Sequence, residues 1–446
     1  MLQKPPDWQK VLQEKSSKIF SKLYSSSEVE AIFSRAQEKY VYWDTFRHYT
    51  FPKGVKADEA WAFLKLTQRV RQERTPAKSI DGKHFGFSYT KALYRRLNII
   101  DTNAAGLIQT LAAKPTANQK EQLIISGLSE EAIASSQIEG ANTSRKVAKE
   151  MIYSGRKPRN RSEQMIVNNY QAMQLLDNLK DLDLTEEILL EIQDRITKGT
   201  LEDSNDAGRF RTDADDIVVT NRLTGEIAFV PPDEKLMRAE LARFLDFANN
   251  DGEDEQNFLH PVIKAIVLHF WLAYMHPFVD GNGRTARAIF YWYLMRKGYW
   301  LFQYLSVSRI IKLSKKKYDD AFLYTELDEN DLTYFLLYIT DVTCRAIGDM
   351  MEHYERKVKE AEQYKKVARI YSDLNERQVA LMVYLDTHPD ETVDVTTHKN
   401  RSAVVYETAR RDLMGLTTKG LLAEIKKGNK NVYVPNINAI RKLLKK

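Results

Sequence analysis

The stretch HPFVDGNGRTAR runs from His276 to Arg287 and decides how the chain around it is read. Ahead of it lies AIVLHFWLAYM, where Ile266, Val267, Phe270 and Tyr274, with Ile263 before them, fall at helical spacing. A helix should therefore end near Met275. Pro277 disfavours helical geometry at the residue before it, so His276 should stand where the helix breaks. Phe278 is the apolar anchor of the following loop. Asp280-Gly281-Asn282-Gly283 predicts a tight turn, because glycine tolerates positive φ and leaves backbone N–H groups uncovered. A second helix is expected from about Arg284 through RTARAIFYWYLMRK, with Gly298 as its stop.

A glycine-rich turn that opens a helix is an anion site, since free N–H groups and the helix dipole both favour negative charge. Arg284 and Arg287, three residues apart, share one face of the first turn. Their charges oppose the dipole, which an anion such as phosphate would offset. Asp280 would repel that phosphate unless a Mg²⁺ lay between them, and Mg²⁺ is commonly held by one or two carboxylates plus phosphate oxygens. His276, with an ordinary pKa of about 6.5, suits a general base.

Every fixed position of this stretch resembles the signature of the Fic family, His-x-Phe-x-Asp/Glu-Gly-Asn-Gly-Arg-x-x-Arg. The resemblance implies transfer of AMP from ATP to a protein Ser, Thr or Tyr hydroxyl with Mg²⁺, releasing pyrophosphate. It implies His276 as the base, Asp280 on Mg²⁺, and Gly281, Asn282 and Gly283 cradling the phosphates. Arg284 and Arg287 would hold the leaving end. Upstream, Ser135-Ser136-Gln137-Ile138-Glu139-Gly140 resembles the family's inhibitory motif, Ser/Thr-x-x-x-Glu-Gly/Asn. Read by itself, this segment is a short helix over 129–140, capped by Ser129 and stopped by Gly140, with Glu139 at the end that disfavours an acid. The resemblance implies that Glu139 competes with the γ-phosphate for Arg287, so that ATP binds unproductively.

Between the two motifs, Ile217–Thr220 and Glu226–Val230 are short β-prone runs, with Thr224-Gly225 as a turn and Pro231-Pro232 as a stop. GRFRT and FVPP look like the flanks of the family's flap. Val219 and Thr220 would then dock a target segment by strand addition; an ordinary surface hairpin is the alternative. KKYDDAF and DLTYF also resemble family helices. Tyr318 in the first of them fits an adenine neighbour or a core tyrosine equally.

Farther out, glycine and proline are scarce, at 18 and 12 in 446 residues, and apolar spacing is mostly helical, so the fold class is mainly α. We expect an N-terminal helical domain over 1–125, a catalytic core over 126–350, a polar connecting helix over 351–369 and a compact unit over 370–446. In that last unit LNERQVALMVYL and SAVVYETARRDLMGLTTKGLLAEI read as helices, and KKGNKNVYV as a hairpin with a Gly-Asn turn. Helix–helix–hairpin suggests a winged helix-turn-helix. Its cations, including Lys399, Arg401, Arg410, Arg411, Lys419, Lys426, Lys427 and Lys430, outnumber Glu407, Asp412 and Glu424. This fits DNA, but equally protein docking or a homodimer.

The net charge of +6 permits an anionic ligand without identifying one. Cys344 is the only cysteine, which excludes a disulfide framework and a cysteine zinc site. MLQKPPDWQK lacks an apolar signal segment, and the run around Ala265–Met275 is too short to span a bilayer, so a cytoplasmic protein without a membrane partner is expected. Two other functions fit the same motifs: removal of AMP from a modified protein with Glu139 activating water, and a nucleotide-sensing DNA-binding regulator. The protein substrate could include the chain itself.

Overall fold

A computed structural model describes residues 2–14, 27–105, 117–220, 225–252, 258–370, 373–427 and 430–444. Among these, helices dominate. Those of eight residues or more are α1 (Ser27–Lys39), α2 (Ala57–Arg69), α3 (Lys91–Ile100), α4 (Ala117–Ile138), α5 (Arg145–Ser154), α6 (Arg161–Leu179), α7 (Glu186–Thr197), α8 (Glu234–Asn249), α9 (Pro261–Met275), α10 (Asn282–Arg296), α11 (Lys315–Leu327), α12 (Thr333–Ile370), α13 (Glu376–Thr387), α14 (Val395–Ser402), α15 (Tyr406–Thr418) and α16 (Ile437–Leu444). The strands form three separate antiparallel pairs: β1 (Gln72–Lys78) with β2 (His84–Ser88), β3 (Val219–Thr220) with β4 (Ile227–Phe229), and β5 (Leu422–Lys427) with β6 (Lys430–Pro435). No described helix is long and apolar enough to cross a membrane. The chain divides into two compact units: residues 1–105, 171–302 and 307–345, and residues 106–170, 303–306 and 346–446.

The first unit is built on α9 and α10. Almost every residue of both is buried, including Trp271, Phe270, Trp292 and Ile289. A helix apolar on all sides must be covered on all sides. α7, α8 and the β1–β2 hairpin help to do this, with Phe85 edge-on to Phe270 and Tyr274. α9 begins at Pro261, whose missing N–H costs nothing at a first helical position. α10 ends as expected at Gly298, φ +77°, where the N–H of Tyr299 donates to Leu294 O and that of Gly298 to Met295 O.

Residues 1–105 belong to this same unit. The aromatics of YVYWDTF form a cluster with Trp61 of α2 and Tyr334 of α12. At its centre Lys65, fully buried, pairs with Asp328 at 2.7 Å and Asp331 at 2.8 Å. Tyr40 and Tyr334 donate to the same two carboxylates at 2.7 and 2.8 Å. Burial works against both acids. Lys65 and Arg69 overcome it at Asp331, whose pKa falls, but not at Asp328, whose pKa rises.

In the second unit α4 starts at Ala117, so Ser129 is not an N-cap: it lies inside the helix and its hydroxyl donates back to Ile125 O at 2.6 Å. Ile133, Ala141, Ala148, Met151, Met165 and Ile166 form one apolar cluster joining the end of α4, α5 and the start of α6. The C-terminal residues hold a second cluster, to which Leu381, Val393, Leu413, Leu416 and Tyr433 contribute. Its order is helix, single bridge (Val393 with Tyr433), two helices, hairpin and a closing helix. The Gly428-Asn429 turn lies outside the described residues. Several acids beyond Glu407, Asp412 and Glu424 answer the cations here, with Arg441 on Asp386 at 2.7 Å and Lys419 on Asp373 at 3.6 Å. The polar stretch 351–369 is the continuation of α12 rather than a separate helix.

Candidate functional site

The loop between α9 and α10 is fixed at both ends by left-handed residues. His276 closes α9 with φ +52° and ψ 58°, its N–H still bonded to Leu272 O at 3.0 Å. Gly281 opens α10 with φ +89°. A Cβ on Gly281 would stand 2.8 Å from Thr197 Cγ2, so conformation and space both demand glycine. Gly283, expected in the turn, already belongs to the first turn of α10. The Asn282 side chain locks the loop: its amide donates to Phe278 O at 2.8 Å and its carbonyl accepts from Phe278 N at 3.0 Å. Phe278 is fully buried and stacks on Phe210.

His276 Nδ1 lies 3.3 Å from Ala273 O. A carbonyl can only accept, so Nδ1 carries the proton in the neutral ring and Nε2 holds the lone pair. That is the tautomer a base at Nε2 requires.

Asp280 Oδ1 accepts from Gly281 N at 2.5 Å and stands 3.3 Å from Arg284 Nη2. Arg284 is fully buried, and Nη1 donates to Ile196 O at 3.1 Å, at the C-terminus of α7. Part of the charge that the sequence assigns to an anion is thus met by a helix C-terminus and a carboxylate. Arg287 is also buried. It sits close enough to His269 to reinforce burial in pushing that histidine down to about 3. Among the described residues no group of three or more His, Cys, Asp or Glu could hold a metal ion. Asp280 as a lone carboxylate fits a Mg²⁺ that arrives with nucleotide phosphates, which supply most of its ligands.

Two supporting residues escaped the sequence reading. Gln193 of α7, fully buried, donates to Asp280 O at 3.1 Å and accepts from Gly208 N at 2.6 Å. It follows Leu189 by four and precedes Thr197 by four on the buried face of α7. A polar residue at an apolar position was the available signal. Arg211, in GRFRT, donates from Nε to His276 O at 2.7 Å and from Nη2 to Pro232 O at 2.5 Å. Its cation meets the negative end of α9.

Glu139 is the C-cap residue of α4, half-buried, with Gly140 at φ +96° after it. Ala141 N donates to Ser136 O and Gly140 N to Gln137 O, which closes the helix end on two of its last carbonyls. Ser135 is buried one turn earlier. Val219 pairs with Phe229 and Thr220 with Ile227; Thr224 lies outside the described residues. Val218, Ile227 and Val230 are exposed on this hairpin, while Phe229 packs on Tyr274. Tyr318 is buried against Phe322 and Phe335, and its hydroxyl meets His269 Nε2 at 2.9 Å.

Proteins named protein adenylyltransferase Fic are similar over part of the chain. That of Culex quinquefasciatus is 36% identical over 120 residues, 26% of this chain and 21% of that protein. That of Drosophila sechellia is 30% identical over 166 residues, 37% of this chain and 29% of that protein. The chain thus spans less than a third of the length of these relatives. Among solved structures, a Fic family protein from Desulfovibrio desulfuricans G20 aligns with 78% of this chain and 97% of its own, at a TM-score of 0.47 and 15% identity. Residues 183–294, which include α7, the β3–β4 hairpin, α9, the loop and most of α10, match the model of the Fic/DOC family, and the chain carries a Fic domain there.

Proposed function

We propose that the chain is a protein adenylyltransferase restrained by its own Glu139. What supports this reading most is the loop between α9 and α10, where a left-handed His276 with its lone pair on Nε2 precedes a glycine-opened helix bearing two buried arginines. In the proposed reaction Nε2 takes the proton of a Ser, Thr or Tyr hydroxyl. The hydroxyl oxygen bonds to the α-phosphorus of ATP, the bond to the bridging oxygen breaks, and pyrophosphate leaves. The backbone of Gly281, Asn282 and Gly283 and the cations of Arg284 and Arg287 orient the phosphates, and positioning with charge neutralisation accounts for most of such catalysis. Mg²⁺ bound with the nucleotide would neutralise phosphate charge, with Asp280 as its protein ligand. The exposed edge of β3, at Val219 and Thr220, would take an extended target segment.

Glu139 would compete with the γ-phosphate for Arg287. The test is incubation of the purified chain with Mg²⁺ and ATP labelled at the α- or γ-position. The expected result is transfer of the α-label only, more from Glu139→Gly than from wild type and none from His276→Ala. Equal transfer by wild type and Glu139→Gly would remove the inhibitory role. AMP release from labelled target by wild type but not by Glu139→Gly would assign Glu139 to water activation instead.

A further inference from the structure

The carboxylate assigned to inhibition sits at the end of α4, and α4 shares a compact unit with the C-terminal helices. The main connection runs through α5, beside a smaller direct contact of α14 with α4. On one side α5 is bound to α4 by charge: Glu130 of α4 accepts from Arg145 Nε at 2.9 Å and pairs with Lys149. It is bound also by packing, through Ile133, Ala148 and Met151. On the other side α5 meets the C-terminal module at both of its ends. Lys146 lies 3.7 Å from Glu391, and the Tyr153 carbonyl accepts from the Asn400 side chain of α14. Tyr153 is the pin between the helices, because its backbone holds α14 while its hydroxyl lies beside Ser126 of α4.

α14 is not independent of the rest of its module. His398, buried in α14, faces Asp412 of α15 at 3.4 Å. Asp412 is gripped by Arg377 at 2.7 Å and by Asn375 at 2.7 Å, at the head of α13. A displacement of α13 or α15 must therefore move α14 or break these bonds.

We propose that residues 373–444 are the restraint on the inhibitory helix: they clamp α5 through Asn400 and Tyr153, and α5 holds α4 so that Glu139 keeps its inhibitory position. The proposal rests on the reading of Glu139 as an inhibitory carboxylate. It makes the C-terminal module a regulatory surface acting through its own chain, and it makes Tyr153 and Asn400 positioning residues.

The test uses the full chain and two readouts: self-transfer of α-labelled AMP, and amide hydrogen exchange of residues 126–139. Asn400→Ala and the milder Tyr153→Phe, each checked for an unchanged helical spectrum, are compared in the wild-type and Glu139→Gly backgrounds. The expected result is about fivefold more transfer from each single variant, the order expected from one lost hydrogen bond. Faster exchange over 126–139 should accompany it, with no further gain in the Glu139→Gly background. If Glu139→Gly transfers no more than wild type, the inhibitory reading falls and the proposal falls with it. If Glu139→Gly is activated but neither variant changes transfer or exchange, the restraint alone is overturned. An equal gain in both backgrounds also overturns it, since the effect would not pass through Glu139.

Discussion

Gly281 shows how far a single residue constrains the site. Its φ of +89° costs a side-chain-bearing residue roughly 1–2 kcal/mol. The Thr197 methyl at 2.8 Å from a built Cβ adds a clash. Gly281→Ala should therefore lower unfolding stability by about 2 kcal/mol, within the range usual for core overpacking, and lower transfer with it. Thr197→Ser removes that methyl and keeps the hydroxyl bond to Gln193 O. The double variant should recover part of the loss in urea denaturation, and a single variant as stable as wild type would disprove the argument. At this scale the sequence was most legible: HPFVDGNGRTAR predicted the helix break at His276 and the glycine turn after it, and the helix that follows predicted its stop at Gly298. It did not show Gln193 or Arg211. Their role is to satisfy backbone groups of a loop far away in sequence, which only the fold brings near.

In the second unit a helix start is fixed by one carboxylate. Glu163, in the first turn of α6, accepts from Nη1 and Nη2 of Arg156 at 2.7 and 2.8 Å and from the N–H of Arg159 at 2.8 Å. The Arg156 hydrogen bonds, foremost, hold its pKa down at about 2. The unfolded chain takes up that proton at the ordinary value near 4.5 while the folded chain does not. Stability from this group is therefore complete above about pH 4.5 and is lost as pH falls towards 2. Glu163→Gln should cost about 1.5–3 kcal/mol near neutrality and flatten the acid limb of a melting-temperature profile. An acid limb identical to that of wild type would contradict the assignment. Elements were less legible than motifs. α14 went unread because Val395-Thr396-Thr397 is a β-branched start with poor helix propensity, although Asp394 caps it through Thr397 N at 2.7 Å. The β1–β2 hairpin was missed because QERTPAK is polar and holds Pro76; the Asp81-Gly82 turn, with Gly82 at φ +76°, was its one clear signal.

At the scale of the molecule, the segments of the first unit are interleaved rather than strung in sequence. Residues 1–105 supply Lys65, Tyr40 and the β1–β2 hairpin, while residues 307–345 supply Asp328, Asp331 and Tyr334. Gly86 forms a bridge with Asp331, and Ser88 N donates to the Thr333 hydroxyl at 2.9 Å. Sequence reading left the role of 1–125 dark because a shared core depends on contacts more than two hundred residues apart, such as Lys65 with Asp331. Lys65→Met would leave two carboxylates buried together without their cation, and breaking a buried ion pair typically costs about 3–5 kcal/mol. Removing residues 1–105 goes further, since it uncovers Tyr334 and strips both Asp328 and Asp331 of Lys65. A chain of residues 106–446 should therefore lack a single cooperative unfolding transition and be cut by protease near 328–334, whereas Lys65→Met should fold but unfold at lower urea. If the 106–446 chain melts as cooperatively as the full chain and at the same temperature, then residues 1–105 decorate the first unit and do not complete its core.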